Sequence, residues 1–461
     1  METPTLNLTS PSPNSQGDTY LRSLLELAQG QETVCNEGTV SWLHELRQKG
    51  AYQVAQSRLP NFKDEEWRFT DVNFLKDINF TAAAKMEVPP HRLGEFVMAE
   101  TEQSHVVFVN GHYAPELSNT EALGDRVYVG GLKDLPIAQA EMLVNYLGQP
   151  SAQANVFSHL NTAAINDVAI VWVQPNAVIS NPLQVIHLAV MDKNPMALWI
   201  QPRTVVVMQH QSQLQLVEHY GVISDRCSDT SQNRPYFTNG VTEIFLDRNA
   251  SLHHSRIQRE SGDSFHIANT AIVQHQDSRY TMVEISLGAK LARHNINLDQ
   301  LGPNTESTLN GLSITGAAQV NDLHSQINLN HINGTVDQLH KCIVDQQSRT
   351  VFNGKIIVPQ AAQMTNATQL NRNLVLSDKA RVNTKPELQI TADNVKCAHG
   401  ATVSQLEPEE VFYLQSRGLT ADAARHLLVD AFAGDIISRL PLKSLQQRLT
   451  QCVACRTIES V

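Results

Sequence analysis

Short runs of hydrophobic and β-branched residues recur along the middle of the chain, from about His105 to Leu406. They are separated by Asn, Asp, Gly, Ser and Gln, which favour turns and left-handed backbone positions. No convincing amphipathic helix lies between the runs, which excludes a parallel βαβ sheet. The chain is therefore predicted to be mainly β, with strands at residues 106–109, 169–173, 205–208, 214–217, 244–246, 271–273, 282–287, 327–329, 350–352, 356–358 and 388–390.

This β tract is long for a single sandwich, and no blade motif recurs that would indicate a propeller. A β-helix fits the pattern best, because each coil would bury a few inward side chains against its neighbours and place polar residues at its corners. The Asn- and Gln-rich residues 295–330 suit such coils, since stacked amides can bond along the axis. No sequence period is sharp enough to exclude a sandwich or a barrel.

The two ends of the chain have a different pattern. Residues 1–17 are rich in Ser, Pro, Asn and Thr and are predicted to be a disordered tail. Residues 18–100 are predicted to be mostly helical, with Asp18 or Thr19 as the first helix cap. Residues 101–406 are predicted to form the β core.

Residues 407–461 are predicted to be helical again. Pro408 followed by two glutamates is a good helix start, and Gly418 is a good stop. Thr420 can cap the next helix, which carries an apolar stripe that another surface must cover: Ala424, Leu427, Leu428, Ala431 and Phe432.

Composition narrows the range of functions. The formal net charge of −11 argues against a nucleic-acid partner, because phosphate binding needs clustered Lys and Arg. There is no apolar run long enough to cross a bilayer and no secretory signal, so we expect a cytosol-like compartment and no membrane contact. The six scattered cysteines of the 461-residue chain are then expected to be reduced thiols.

The most informative candidate site is the pair Cys397 and His399. Residues two apart on a strand point the same way, and thiolate and imidazole are common ligands of iron and zinc. The pair is only half of a site, because a stable cluster needs about four protein ligands. It would hold a cluster weakly or share it with a partner. Alternatively, Cys397 is an inert core thiol and His399 a hydrogen-bonded turn residue.

Other candidates are weaker. Cys452 and Cys455 form a CxxC motif, but no second pair completes a zinc site, so a chance or peripheral thiol pair is the favoured interpretation. His253, His254, His324, His331 and His340 lie in the β tract and receive no role. Phosphate-binding, nucleophile-elbow, HExxH and dinucleotide-binding motifs are absent, so ATP hydrolysis would need another chain.

Residues 352–432 resemble the C-terminal half of the B and D subunits of the SUF iron–sulfur cluster assembly system, through the elements FNGKI, NTKPELQI, VKCAHGAT and FYLQSRG. Residues 59–72, LPNFKDEEWRFTDV, resemble the leader of the D-type subunit. His399-Gly400-Ala401 stands where the B type has His-Glu-Ala, which also favours D. Ser404 and Asn394 depart from the usual pattern.

The resemblance implies a right-handed parallel β-helix between helical ends, a heterodimer with the B subunit through the β-helices, and an ABC-type ATPase subunit on the C-terminal helices. A homodimer is an alternative for the isolated chain. The ATPase surface would include Tyr413, Arg417, Ala424, Leu427, Leu428 and Phe432.

In this family setting the chain holds no permanent cofactor. Cys397 and His399 would bind transient iron or a nascent cluster shared with the B subunit, with His399 as the metal ligand. ATP-driven dimerisation of the ATPase would open the junction for loading. The compartment would be the cytoplasm, or the plastid stroma in a plant or alga.

Two further function classes stay open. A secreted-type β-helix polysaccharide lyase or hydrolase would use carboxylates, for which Asp322, Asp345 and Glu284 are available without diagnostic spacing. A purely structural partner of the B subunit would leave Cys397 and His399 inert.

Overall fold

The computed structural model describes residues 18–30, 40–149, 154–191, 196–224, 231 and 234–458. The predicted disordered tail, Cys35 and Cys227 lie outside these residues. The α-helices are α1 (Thr19–Gln29), α2 (Val40–Ala55), α3 (Ile137–Leu143), α4 (Val156–Ala163), α5 (Pro408–Ser416), α6 (Ala421–Ile437) and α7 (Lys443–Ile458). Short 3-10 helices lie at Glu65–Trp67, Asn73–Asp77, Pro90–Glu95, Ala99–Thr101 and Pro115–Leu117.

Most of the described chain is β-strand. The strands are β1 (Phe80–Ala82), β2 (His105–Val109), β3 (His112–Tyr113), β4 (Val127–Gly130), β5 (Ala169–Val173), β6 (Leu183–Ala189), β7 (Ala197–Ile200), β8 (Arg203–Met208), β9 (Gln213–Val222), β10 (Tyr236–Leu246), β11 (Ser251–Glu260), β12 (Phe265–Gln274), β13 (Arg279–Gly288), β14 (Leu291–Gln300), β15 (Glu306–Thr315), β16 (Val320–Asn328), β17 (Thr335–Val344), β18 (Arg349–Val358), β19 (Asn366–Val375), β20 (Arg381–Ile390) and β21 (Lys396–Ser404).

From β8 onward the strands alternate between two sheets, and each pairs in parallel with the strand two places along the chain. Of these strands, sheet A contains the even-numbered ones from β8 to β20, and sheet B the odd-numbered ones from β9 to β21. Each coil of roughly 30 residues therefore adds one strand to each sheet. This arrangement is a parallel β-helix with helices at both ends, which confirms the predicted fold.

The side chains alternate between the inside and the outside of the coils. Leu252, Met282 and Ile296 belong to one apolar cluster inside the coils, whereas Val217 and Ile257 of sheet B pack outward beneath the C-terminal helices. The coils thus share an apolar core and leave a second apolar surface for α6 and α7 to cover.

The corners of the coils explain the many Asn and Asp residues between strands. Asp277, Asn304 and Asn333 occupy the same corner in successive coils, each with φ between 58° and 60°. Short polar side chains tolerate this left-handed region well. The Nδ2 group of Asn304 donates to Asp277 Oδ1, and that of Asn333 donates to Asn304 Oδ1, both at 2.9 Å. The corners therefore form an amide ladder along the axis.

The predicted helix caps are confirmed, but helices also lie within the β tract. Asp18 caps α1 through the backbone N–H of Tyr20, and Thr420 caps α6 through that of Ala423. The prediction that no helix interrupts residues 105–406 was wrong, because α3 and α4 lie there. Both are short, at 7 and 8 residues, so an amphipathic period has little length in which to appear. Among the described residues no helix is both long and apolar enough to span a bilayer.

Candidate functional site

The last coil of the β-helix has no further coil on top of it. Strands β20 and β21 end sheets A and B, and each pairs with a neighbour on one side only. The N–H groups of Arg381 and Lys396 donate to the carbonyls of Ser348 and Thr365, just before β18 and β19, so the residues between these donors on β20 and β21 direct their N–H groups to the open side. Pro386 stands at a position whose N–H would face the open side, so its missing N–H removes no hydrogen bond to β18. The structure therefore ends in an open end, defined as the exposed edges of β20 and β21.

Cys397 and His399 lie on β21, at this open end. Their register partners on β19 are Ala367 and Gln369, and Cys397 packs against the apolar cluster inside the coils. Because residues two apart share a face, His399 also lies on the inward face of its coil. Cys397 is half-buried and His399 is exposed, since no coil covers them.

This pair has the chemistry of half a metal site. Partial burial raises the pKa of the Cys397 thiol, although the backbone of Ala367 opposes this with a hydrogen bond. The thiol is then protonated near neutral pH, and a metal ion must displace its proton. Within the described ranges no group of three or more His, Cys, Asp or Glu residues could hold a metal ion. The missing ligands would have to come from elsewhere.

Sequence reasoning missed a set of charged side chains inside the coils. Glu218, Arg256 and Glu284 occupy one inward column on successive strands of sheet B, and all are buried. Arg256 contacts Glu284 at 3.2 Å, and the imidazole of His294 lies 2.7 Å from the same carboxylate oxygen. Burial raises the pKa of Glu284, but His294 and Arg256 outweigh this and lower it to about 2. The charges of Arg256 and Glu284 are thus paired with each other in the core.

His340 continues this column two coils further on. Glu284 pairs in register with Gly311, and Gly311 with His340. A Cβ atom on Gly311 would lie 2.1 Å from His340 Nδ1, so glycine leaves the space that the ring occupies. Burial lowers the pKa of His340 to about 4, which keeps the imidazole neutral at neutral pH. Only the strand register, once known, could have identified this column in the sequence.

The carboxylates considered for a polysaccharide enzyme do not form an accessible pair. Glu284 lies inside the coils, and Asp322 is 1 % exposed and bound to Arg293, Thr70 and His324. Asp345 lies at a corner, where it accepts the backbone N–H of Gln346. Acid–base cleavage of a glycosidic bond needs two carboxyl groups facing one substrate. The geometry does not support this alternative.

The leader motif forms an arm, residues 65–70, across the outer face of sheet A. The guanidinium of Arg293 lies 3.8 Å from the centroid of the Trp67 ring and donates to the carbonyl of Glu66 at 2.9 Å. His324 bridges Glu66 and Asp322, at 2.9 Å from each. Burial lowers the pKa of His324, but the carboxylates outweigh this and raise it.

The arm also reaches the open end. Lys385 of β20 donates to Glu65 at 2.7 Å, and Arg349 of β18 donates to the carbonyl of Phe69 at 3.4 Å. The arm therefore contacts strands β14, β16, β18 and β20 in turn. It fastens the terminal coil to the coils below it.

The C-terminal residues suggested for ATPase contact do not share one environment. Ala424 is fully buried, and Phe432 contacts Lys341 of β17, so both pack against this chain itself. Leu428 is half-buried, and its neighbour Leu427 is 47 % exposed. On α5, Tyr413 is 58 % exposed and stacks with the exposed Arg417. Among the described residues of α5 and α6, the exposed large apolar side chains are those of Leu427, Tyr413 and Phe412, the last being 71 % exposed.

Cys452 and Cys455 lie one turn apart on α7. Cys452 packs against the apolar cluster between the C-terminal helices and sheet B, and Cys455 is exposed. Cys397 lies on β21 at the open end, so the structure places the CxxC pair on a different element from the candidate site.

Comparison with known proteins identifies the family. The SufBD core domain of SUF-system FeS cluster assembly matches residues 190–432, and the SufBD protein N-terminal region matches residues 19–185. An iron–sulfur cluster assembly SufBD family protein of Synechocystis is 52 % identical over 412 residues, covering 89 % of this chain and 90 % of that protein.

Two further relatives agree with this assignment. Protein ABCI7, chloroplastic, of Arabidopsis thaliana is 32 % identical over 446 residues, covering 95 % of this chain and 92 % of that protein. The iron–sulfur cluster assembly protein SufD of Escherichia coli is 29 % identical over 404 residues, covering 87 % and 90 %. The resemblance indicated by the sequence motifs is confirmed. The chain therefore belongs to the SufBD family of the SUF iron–sulfur cluster assembly system.

Proposed function

We propose that this chain is a non-catalytic scaffold subunit whose open end pairs with a B-type β-helix subunit. The observation that carries the proposal is the uncovered edge of β20 and β21. Long exposed edges template the addition of further strands, and soluble proteins normally block them. Strands of a second β-helix would continue both sheets and bury the exposed inward face of the last coil.

Pairing at this edge would complete the site at Cys397 and His399. These residues supply two of about four ligands, and the second subunit would supply the others. Iron and sulfide are then the cargo of the complex, held at the junction and released, and the chain keeps no permanent cofactor. His399, which is exposed, is the proposed entry ligand for iron.

An ABC-type ATPase subunit is the proposed partner of the C-terminal helices. Leu427, Tyr413 and Phe412 expose apolar side chains on these helices, as protein-binding sites often do. The chain has no phosphate-binding loop motif, so ATP hydrolysis would come from another protein. α6 contacts β15 and β17 of sheet B, so a pull on the helices would be transmitted to the β-helix. We propose that ATP-driven dimerisation of the ATPase opens the subunit junction in this way.

The proposed location is the cytoplasm, or the plastid stroma if the source is a plant or alga. The name of the Arabidopsis relative, which carries the word chloroplastic, supports the second setting.

The test is co-expression with B-type and ATPase subunits, followed by iron and sulfide analysis of the purified complex. In a second arm, Ala401→Pro removes an N–H that points to the open side and no internal ladder bond. We expect this variant to lose the B-type subunit while its melting temperature stays close to that of Ala401→Ser, the control that keeps the N–H. Undiminished co-purification of Ala401→Pro, or self-pairing through the edge in preference to the B-type subunit, would contradict the proposal.

A further inference from the structure

The layer directly beneath His399 is polar. On the inward face of β19 it presents Gln369, Asn371 and Asn373, all of them buried, whereas Cys397 lies over Ala367. In this layer Gln369 Oε1 and Asn373 Oδ1 are buried and have no hydrogen-bond partner within the described residues. Buried polar atoms are normally satisfied, so unpaired oxygens below an open end indicate that donors are added from above.

The amide nitrogen of Gln369 points to the coil below. Its Nε2 group donates to Gln338 Oε1 at 2.8 Å, and Gln338 Nε2 donates to Ser325 Oγ at 2.8 Å. Because the nitrogen donates to the coil below, the oxygen Oε1 is left as an acceptor. A Cβ atom on Gly354 of the facing sheet would lie 2.4 Å from Gln369 Nε2, so glycine leaves the space that the amide needs.

The register neighbour of Gln369 above this layer is His399. Paired strands lie about 4.8 Å apart, and both side chains are on the inward face of their coils. His399 is exposed and makes no side-chain hydrogen bond with any other described residue. Rotation of its ring toward the axis would bring an N–H group to the unpaired oxygen.

We propose that Gln369 is a positioning residue for His399, an inference that rests on the proposed role of His399 as an iron ligand. When the second subunit covers the open end, the ring turns inward and one N–H donates to Gln369 Oε1. A neutral imidazole has one N–H and one bare nitrogen. When the N–H of the His399 ring is held by the Gln369 amide oxygen, the other ring nitrogen faces iron. Metal-binding histidines are commonly oriented in this way by an acceptor on their second nitrogen.

The test uses the co-expressed complex and measures its affinity for ferrous iron and its iron and sulfide content. Gln369→Met keeps the length of the side chain and removes the acceptor, and we expect roughly a 10-fold loss of iron affinity. Gln369→Glu keeps an oxygen acceptor. The hydrogen bonds from residue 369 through Gln338 to Ser325 can reverse their direction, because the Ser325 hydroxyl can donate as well as accept. We expect this variant to restore iron affinity to within roughly 3-fold of the wild type.

Two controls separate positioning from folding and from the proposed function. Gln258→Met makes the same change in another inward position, and it should leave iron affinity unchanged. Equal iron affinities for Gln369→Met and the wild type, or equal losses in the Met and Glu variants, would overturn the positioning role. His399→Ala tests the ligand role separately. If it assembles clusters normally, the ligand role fails; if it fails while Gln369→Met is normal, only the positioning role is lost.

Discussion

The clamp that holds the arm gives a quantitative prediction. Arg293 is 2 % exposed, pairs with Asp322 and packs on the ring of Trp67. Burial lowers the pKa of Arg293, and the carboxylates of Asp322 and Glu66 partly oppose this. In Arg293→Met the Asp322 carboxylate stays buried with only Thr70 and His324. Removing one partner of a buried ion pair costs about 3–5 kcal/mol, and we expect a loss of this size.

Urea unfolding, followed by tryptophan fluorescence, measures this loss. The matched control is Arg279→Met, which breaks the exposed pair of Arg279 and Glu306 at 3.1 Å. Exposed pairs contribute roughly 0–1 kcal/mol, so this variant should unfold almost as the wild type does. In the double variant Arg293→Met/Asp322→Leu no unpaired charge remains, and most of the stability should return. If Arg293→Met costs no more than Arg279→Met, the clamp does not stabilise the fold.

Three further predictions concern the core and the C-terminal helices. The pKa of His340 is lowered from 6.5 to about 4, so the unfolded chain binds more protons in this interval and stability falls as the pH decreases from 6.5 to 4. His340→Gln should reduce this loss by up to about 3 kcal/mol. In urea unfolding between pH 7 and pH 5, the free energy of unfolding of this variant should depend less steeply on pH; an unchanged pH dependence would contradict the neutral buried imidazole. Gly311→Ala places a Cβ 2.1 Å from His340 and should cost about 1–3 kcal/mol, most of which the double variant with His340→Ala should recover in thermal melts. Leu427→Glu should weaken ATPase binding at least 10-fold in a pull-down titration. Gln447→Glu, a substitution at an exposed residue of α7, should leave the binding intact. Equal binding by both variants would mean that the ATPase binds elsewhere.

Local signals were sufficient to predict several elements. Asp18 and Thr420 cap their helices because their side chains accept backbone N–H groups two or three residues away, an interaction visible within a few residues of sequence. The common face of Cys397 and His399 follows from strand periodicity alone. The β-helix itself was predicted from short β-rich runs and polar corners. The strands from β9 onward are longer than these runs, at about 10 residues, because polar inward-facing residues extend them.

The tertiary structure decided everything that depends on the register between coils. Adjacent His253 and His254 look alike in the sequence, yet His254 is fully buried at the inward face beside Glu218, whereas His253 is only half-buried on the outer face. Likewise, residue spacing could not align Gln369 with His399 or place the arm against Asp322, because the coils differ in length and these pairs are far apart along the chain. The sequence by itself determined which residues turn, cap or lie in strands, since those preferences are local. Only the stacking of the coils decided which side chains meet, because these contacts join residues on different strands, beyond the reach of local preferences.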